Sequence, residues 1–439
     1  MASERFFLEL TPPSELLRDA PHVVIIGGGF AGLKAARTLA GHAVRVTLID
    51  QRNFNLFQPL LYQVASGLVA QTDVASALRI LIGQAVNVQI LMGEVIDIDP
   101  KEQEVVFNNR RLHYNHLIVA AGATSSYFGH DEWSAFATPM KTLEDAHAIR
   151  SQVLSALEEA EQTPDPERRR QLQSVVVVGA GPTGCELAAS LNDLMRHTLE
   201  RDFKQIEPSH CRVTLVDPGE RVLKAMPAAL SEAAANHLRR SGVDLLLGGR
   251  VQAMQSDELT VSTANGSVTL NAATICWTAG VSGAPIGQRL AERTGCPIDH
   301  AGRIPVEADF SVPGWSNIRV VGDLCSYSHT SSGAPLPGMA GPAVQMGGWV
   351  AKHILSTLNQ GSCPAFTFTD LGSMAVVGPH FAVANLRGLK VSGLPGWLLW
   401  GSAHLAFMPE SENRLLLLAK WLWLIFTRQR SALVISETA

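Results

Sequence analysis

The sequence predicts an α/β fold with two Rossmann-like dinucleotide-binding domains and a helical C-terminal segment of different character. Three observations carry this. An apolar run that ends in a glycine loop occurs twice, each time followed by a helix and by a strand closed with an aspartate. Strand and helix signals alternate along the body, the pattern of a parallel sheet with crossover helices. Residues 385–439 hold six Lys/Arg against three Asp/Glu and four of the eight tryptophans, whereas the rest of the chain is acidic.

The first unit begins with His22-Val-Val-Ile-Ile-Gly27, a continuous apolar run suited to a strand buried on both faces. Gly27-Gly28-Gly29-Phe30-Ala31-Gly32 follows, then a helical stretch to Leu39. The next strand, Val44 to Ile49, ends at Asp50, 23 residues after Gly27. Glycines at this spacing permit a tight turn and bring the backbone close to a pyrophosphate. The helix N-terminus supplies N–H donors, and the strand-end acid accepts from ribose hydroxyls.

The plan recurs at Ser174-Val-Val-Val-Val-Gly179, with Gly181 and Gly184, a helix to about Leu194, and Val213 to Asp217. Asp217 stands 38 residues after Gly179, so about 15 extra residues (Arg196 to His210) intervene relative to the first copy. An acid there favours NADH over NADPH, because a 2′-phosphate would be repelled. Between the copies, Glu158 to Gln173 reads as a solvated, Pro-containing surface segment. Further on come Ala272 to Gly280, Asn317 to Asp323, a helix from roughly Gly341 to Leu358, and strands within Phe366 to Val383.

At 439 residues the chain is long enough for two or three cores. Its 46% hydrophobic and 17% charged composition, with net charge −5, excludes disorder, collagen-like repeats and charge-driven nucleic-acid binding. Cys185, Cys211, Cys276, Cys296, Cys325 and Cys363 form no CxxC or Cx4C pair, so neither a disulfide framework nor a metal knuckle is expected. Met1 to Pro21 reads as neither a secretory signal nor an Arg-rich transit peptide. No stretch reaches the roughly 20 apolar residues that span a bilayer.

The end of the chain reads as two apolar helices, Pro395 to Met408 and Asn413 to Thr427. Asn413, Lys420 and Thr427 are seven apart and form one polar stripe, flanked by Trp421 and Trp423 and closed by Arg428 and Arg430. This amphipathic segment is expected to anchor on a membrane surface, with its apolar body inward, Trp at headgroup depth and the cations toward anionic lipid. A dimer-interface or core role for the helix is the competing reading. His404, between apolar neighbours, reads as structural.

Val320-Val321-Gly322-Asp323 is similar to the second FAD motif of the two-dinucleotide-binding-domain flavoproteins. Ala120-Ala121-Gly122-Ala123 and Trp277-Thr278-Ala279-Gly280 are similar to their linker turns. Gln51 to Ala70 lacks the redox cysteine pair of the disulfide reductases of this fold. Instead, Asn53-Phe54-Asn55-Leu56-Phe57-Gln58-Pro59-Leu60-Leu61-Tyr62-Gln63-Val64-Ala65-Ser66-Gly67 resembles the hallmark segment of the type II NADH:quinone oxidoreductases. Segments at Ala121–His130, Gly179–Leu187, Ala343–Gly347, Asp370–Gly378 and Asn413–Leu415 extend the likeness over about residues 20 to 435.

That resemblance implies FAD on the first glycine loop and NADH on the second. The cofactor-binding set it implies is Gly27, Gly29, Phe30, Ala31, Gly32, Asp50, Gln58, Ala121, Gly122, Gly179, Gly181, Pro182, Thr183, Gly184, Glu186, Asp217, Ala279, Gly280, Gly322, Asp323 and Gln345. Glu186 near the nicotinamide and quinone sites and Gln345 at the quinone head are the implied catalytic residues; no metal is implied. A first-turn glutamate is also accounted for by the helix dipole alone. Met346 stands where many relatives have a second polar residue, often glutamine, and Leu371 where some members have a lysine, so a proton donor at Leu371 is absent.

The expected organisation is an FAD-binding domain in two parts, 20–145 and 285–365, an NADH-binding domain at 146–284, and a membrane-association and dimerisation segment at 366–439. The expected activity is a peripheral flavoenzyme on the cytoplasmic face of the membrane, a homodimer that oxidises NADH via FAD and reduces a membrane quinone without pumping protons. A soluble-acceptor NAD(P)H reductase of the same fold and an NADH-binding interaction flavoprotein are the alternatives.

Overall fold

The computed structural model describes residues 17–198, 202–427, 429–430 and 432–435. Residues 1–16 of the N-terminal expectation, part of the insertion before His210, and Arg428 lie outside the described residues. The chain forms two compact units. One comprises the residues up to Leu56 with Ser76–Thr124 and Val281–Asp370; the other comprises Phe57–Ala75, Ser125–Gly280 and the residues from Leu371 onward.

The first unit is built on a six-stranded sheet in the order Ser311–Val312, Trp315–Val320, His116–Val119, His22–Ile26, Arg45–Asp50, Val88–Met92. His22–Ile26 is buried throughout and pairs in parallel with Arg45–Asp50 on one side and His116–Val119 on the other. Its continuous apolar sequence is therefore explained by two covered faces. Chain order reverses between His22–Ile26 and His116–Val119, which makes their C-terminal ends the crevice where open α/β sheets take ligands. The helix Phe30–Leu39 packs against the helix Ala340–Leu358 at glycine distance. A Cβ on Gly347 would stand 2.1 Å from the Ala31 carbonyl oxygen, so only glycine permits this approach.

The second unit repeats the arrangement. Its parallel sheet runs Thr138–Pro139, Thr274–Trp277, Ser174–Val178, Arg212–Asp217, Val243–Leu247, with the reversal between Ser174–Val178 and Thr274–Trp277. The helix Pro182–Asp193 continues into a π-helical turn, Leu194–Thr198. Within the expected strand region, Ser373–Gly378 and Phe381–Leu386 are strands, joined antiparallel to Leu389–Gly393. The helices Leu394–Phe407 and Ser411–Thr427 follow. The unit limits differ from the expected domains: residues 57–75 and 125–145 cluster with the second sheet, and the tail is part of that unit.

In the tail segment the cations expected to face lipid are turned to protein instead. The polar stripe of the helix Ser411–Thr427 faces protein: Asn413 donates to the Thr72 carbonyl at 3.2 Å, and Lys420 pairs with Asp73 at 2.5 Å. Trp421 is buried, with its indole N–H on Gln63. Arg430, expected to face lipid, is buried and donates to the carbonyls of Ser66 and Ser190 and to the Asp193 carboxylate. The outward face is apolar: Leu415, Leu422, Trp423 and Phe426 are exposed, Phe426 to 82%. Among the described residues, no helix is long and apolar enough to cross a membrane.

Candidate functional site

The two glycine loops have the same geometry, and each glycine has a separate task. Gly27 has φ +99° and Gly179 φ +108°, left-handed values that favour glycine. A Cβ on Gly32 would lie 1.8 Å from the Gly27 carbonyl oxygen, and one on Gly184 at 1.8 Å from that of Gly179; these glycines let helix and strand close. Beside the middle glycines, Gly29 and Gly181, the space is open for 4 Å around an added Cβ. Each of these two is the residue before its helix, Phe30–Leu39 or Pro182–Asp193, with Phe30, Ala31, Pro182 and Thr183 forming the first turns. An open hollow at a helix N-terminus is the shape a pyrophosphate requires.

The strand-end acids fold back over these loops identically. Asp50 accepts from Gly28 N at 2.6 Å and Arg52 N at 2.7 Å; Asp217 accepts from Ala180 N and Gly219 N, both at 2.7 Å. The linker turns meet the first glycines: a Cβ on Gly27 would lie 2.3 Å from Ala120 O and 3.2 Å from Ala121 Cα, and one on Gly179 2.7 Å from Ala279 Cα. Ala121–Gly122 and Ala279–Gly280 therefore border the two crevices, one in each unit. Thr278 pins the second loop by donating between the carbonyls of Val178 and Gly179. An added side chain on Gly280 would meet the Phe128 ring at 2.5 Å.

In the first unit Gly322, at φ +75°, opens a short turn to Leu324, with Ala31 and Ala343 the atoms nearest an added Cβ. Asp323 lies in that turn, beside Gly338. Met346, the family departure, accepts from Gly322 N through sulfur at 3.4 Å, so its role is to hold this turn. Sequence reasoning assigned nothing to Asn55, although it quoted the segment that contains it. Asn55 is 2% exposed, donates to Gly28 O at 2.8 Å, and keeps a buried Oδ1 without a partner. An orphaned acceptor, an open hollow and a strand-end carboxylate together fit the hydroxyl- and phosphate-rich body of FAD.

Two expected site residues have other engagements. The Gln345 amide donates to Thr369 O and accepts from Thr369 N, both at 2.9 Å, so it fastens the residues before Leu371. Gln58 falls in the second unit and donates to Lys141 O at 2.9 Å.

Glu186 is 8% exposed on the helix Pro182–Asp193, and its Oε1 accepts from Val376 N at 3.3 Å. Burial raises its pKa to about 8, against the smaller opposite pull of that N–H. Burial thus favours the neutral carboxyl, a form the helix dipole does not reward. Glu186 opens onto a cavity of about 390 Å³ in the second unit, shared with Tyr62, Gln63, Trp400, Trp421 and Arg430. All six cysteines are free thiols, and burial pushes Cys185 and Cys325 up, so neither is a ready thiolate. Among the described residues no cluster of His, Cys, Asp and Glu could hold a metal. His404 is buried, its ring nitrogen bonded to Trp400 O and its pKa lowered to about 4 by desolvation, as a structural histidine should be.

The pyridine nucleotide-disulphide oxidoreductase family matches residues 21–347. A type II NADH:quinone oxidoreductase of Mycobacterium tuberculosis is 38% identical, over 98% of this chain and 94% of its own length. A mitochondrial internal alternative NAD(P)H-ubiquinone oxidoreductase of Solanum tuberosum is 27% identical, over 94% and 88%. Among solved structures, NDH2 from Plasmodium falciparum in complex with NADH shares the fold with a TM-score of 0.86 at 19% identity, over 94% of this chain and 99% of that one.

Proposed function

The chain belongs to the pyridine nucleotide-disulphide oxidoreductase family and, within it, to the type II NADH:quinone oxidoreductases, and we propose that its two glycine cradles divide the work, FAD on the first and NADH on the second. The protein oxidises NADH through FAD and reduces a quinone, without proton pumping. Bound FAD supplies the two-electron chemistry between nicotinamide and acceptor. Gly29, Asp50, Asn55, Ala121, Gly122, Gly322 and Asp323 hold FAD, with Phe30 and Ala31 forming the helix start beneath it. Gly181, Pro182, Thr183, Asp217, Ala279 and Gly280 hold NADH. The apolar cavity beside Glu186 receives the quinone, and Glu186 keeps a proton there at neutral pH. Gln345 positions the Thr369 backbone at the edge of its own unit.

The observation that carries this reading is the pair of matched cradles, each with an open middle glycine and a carboxylate folded over the loop. Attachment is to the cytoplasmic face of the membrane as a homodimer, through the outward apolar faces of Leu394–Phe407 and Ser411–Thr427. The purified flavin-loaded protein, given NADH and in turn a water-soluble ubiquinone, ferricyanide and a small disulfide, tests the function. Quinone and ferricyanide turnover without disulfide turnover is expected; disulfide turnover alone would overturn it.

A further inference from the structure

We infer that Tyr62 donates a hydrogen bond to a carbonyl oxygen of the acceptor, and that Gln63 and Trp421 are positioning residues that fix its phenol as a donor. This rests on the reading that the cavity beside Glu186 receives the quinone. The chain of contacts has only one consistent direction. An indole N–H donates and never accepts, so the Gln63 atom 2.9 Å from Trp421 Nε1 is the amide oxygen. The Gln63 NH2 group is thereby turned to Tyr62, 3.0 Å from the phenol oxygen. That oxygen accepts, and the phenol proton must point elsewhere. Gln63 is the one partner of the Tyr62 phenol oxygen among the described residues.

Tyr62 is 4% exposed and Gln63 3%, so the phenol proton is turned from bulk solvent toward the cavity that both residues line. Burial, with Glu186 nearby, also holds the phenol well above its usual pKa, so it stays a donor. The same cavity wall carries Trp400, whose Nε1 is buried without a partner, and the neutral Glu186 carboxyl. The wall is thus apolar and rich in donors that lack acceptors. A quinone offers the complement, two carbonyl acceptors and no donor. Reduction builds negative charge on those oxygens, so a fixed donor gains strength as the reaction proceeds. Tyr62 gives up no proton in this role; the two electrons come from NADH.

The test uses Tyr62→Phe, Trp421→Phe and the double variant in the full-length flavin-loaded protein, with flavin content and Tm checked first. The probe is a ubiquinone with one isoprene unit. Its Kd is read from tryptophan fluorescence quenching without NADH, and its turnover is taken as a ratio to ferricyanide turnover. Loss of one neutral hydrogen bond should raise Kd about fivefold in Tyr62→Phe and lower the turnover ratio similarly. Trp421→Phe should do the same, because the freed amide can turn and take the phenol proton. The double variant should be no worse than either single one. An unchanged Kd in Tyr62→Phe, or strictly additive losses, would overturn the inference. If Tyr62→Phe does not fold, an unchanged Kd in Trp421→Phe overturns it. A wild-type protein that reduces ferricyanide and not the quinone would overturn the functional reading beneath it instead.

Discussion

Lys420 on the tail helix reaches Asp73 at 2.5 Å, and the Asp73 side chain is 4% exposed. This ion pair fixes which face of the helix meets protein. Asn413, Lys420, Trp421 and then Arg430 all turn toward residues 63–73 and the helix Pro182–Asp193, leaving leucines, Trp423 and Phe426 outward. The tail is therefore part of the second unit's core on one side and a bare apolar surface on the other.

Membrane attachment should depend on that apolar surface more than on charge, because Lys420 and Arg430 are already engaged. Leu415→Ser with Phe426→Ser should release the protein from vesicles while Tm changes little, since both residues are strongly exposed. Binding to vesicles of zwitterionic and of mixed anionic lipid should differ by less than about tenfold, where free cations would contribute about 1 kcal/mol each. Sedimentation with vesicles measures both, and retention of the double variant would contradict the orientation.

Lys420→Ala acts through another route. It strands a buried Asp73 carboxylate, and removing one partner of a buried pair costs a few kcal/mol. A Tm loss of several degrees is expected, with detachment only as a consequence of unfolding.

The middle and last glycines of the second cradle should separate binding from folding. Gly181 has φ −72° and open space around an added Cβ, so Gly181→Val should fold normally and raise KM for NADH at least about tenfold. Gly184→Val places carbon against the Gly179 carbonyl and should cost solubility. Equal KM in Gly181→Val and wild type would remove NADH from this cradle.

How much of this was legible in the sequence follows from the range of each contact. The glycine spacing already encodes which Cβ would clash and which would face open space, and strand-end acids are local to their own sheets. Asp50 and Asp217 could be placed for that reason. The stripe of Asn413, Lys420 and Thr427 marked a polar face, yet its partner Asp73 lies 347 residues away and cannot be seen in a helical pattern. Gln63, Arg430 and the cavity were hidden likewise. Asn55 was within reach, because a short amide beside a glycine loop is a natural backbone clamp. The contact of Gln345 was hidden too, since nothing local revealed that Thr369 takes both ends of its amide.

Cofactor preference should depend on Asp217, whose carboxylate covers the second loop. NADH should exceed NADPH at least about tenfold in kcat/KM, a difference of about 1.4 kcal/mol. Asp217→Asn should narrow that ratio, and a wild-type protein indifferent to the 2′-phosphate would contradict the assignment.

The raised pKa of Glu186 has a defined effect on stability. The folded chain keeps the proton up to about pH 8, whereas the unfolded chain releases it near the ordinary value of 4.5. The native state binds more protons in that window, so this group lowers stability as pH rises through it. Glu186→Gln lacks the penalty, and its Tm relative to wild type should climb between pH 5 and pH 8 by at least about 2 °C. A Tm difference independent of pH would show Glu186 to be ionised when folded.

The most direct test is an anaerobic single turnover. The flavin-loaded protein is reduced with one equivalent of NADH, mixed with a water-soluble ubiquinone, and the quinol and NAD+ are counted. One quinol formed per NADH consumed is the expected result. Full consumption of NADH with no quinol formed, while ferricyanide still re-oxidises the protein, would contradict quinone as the acceptor.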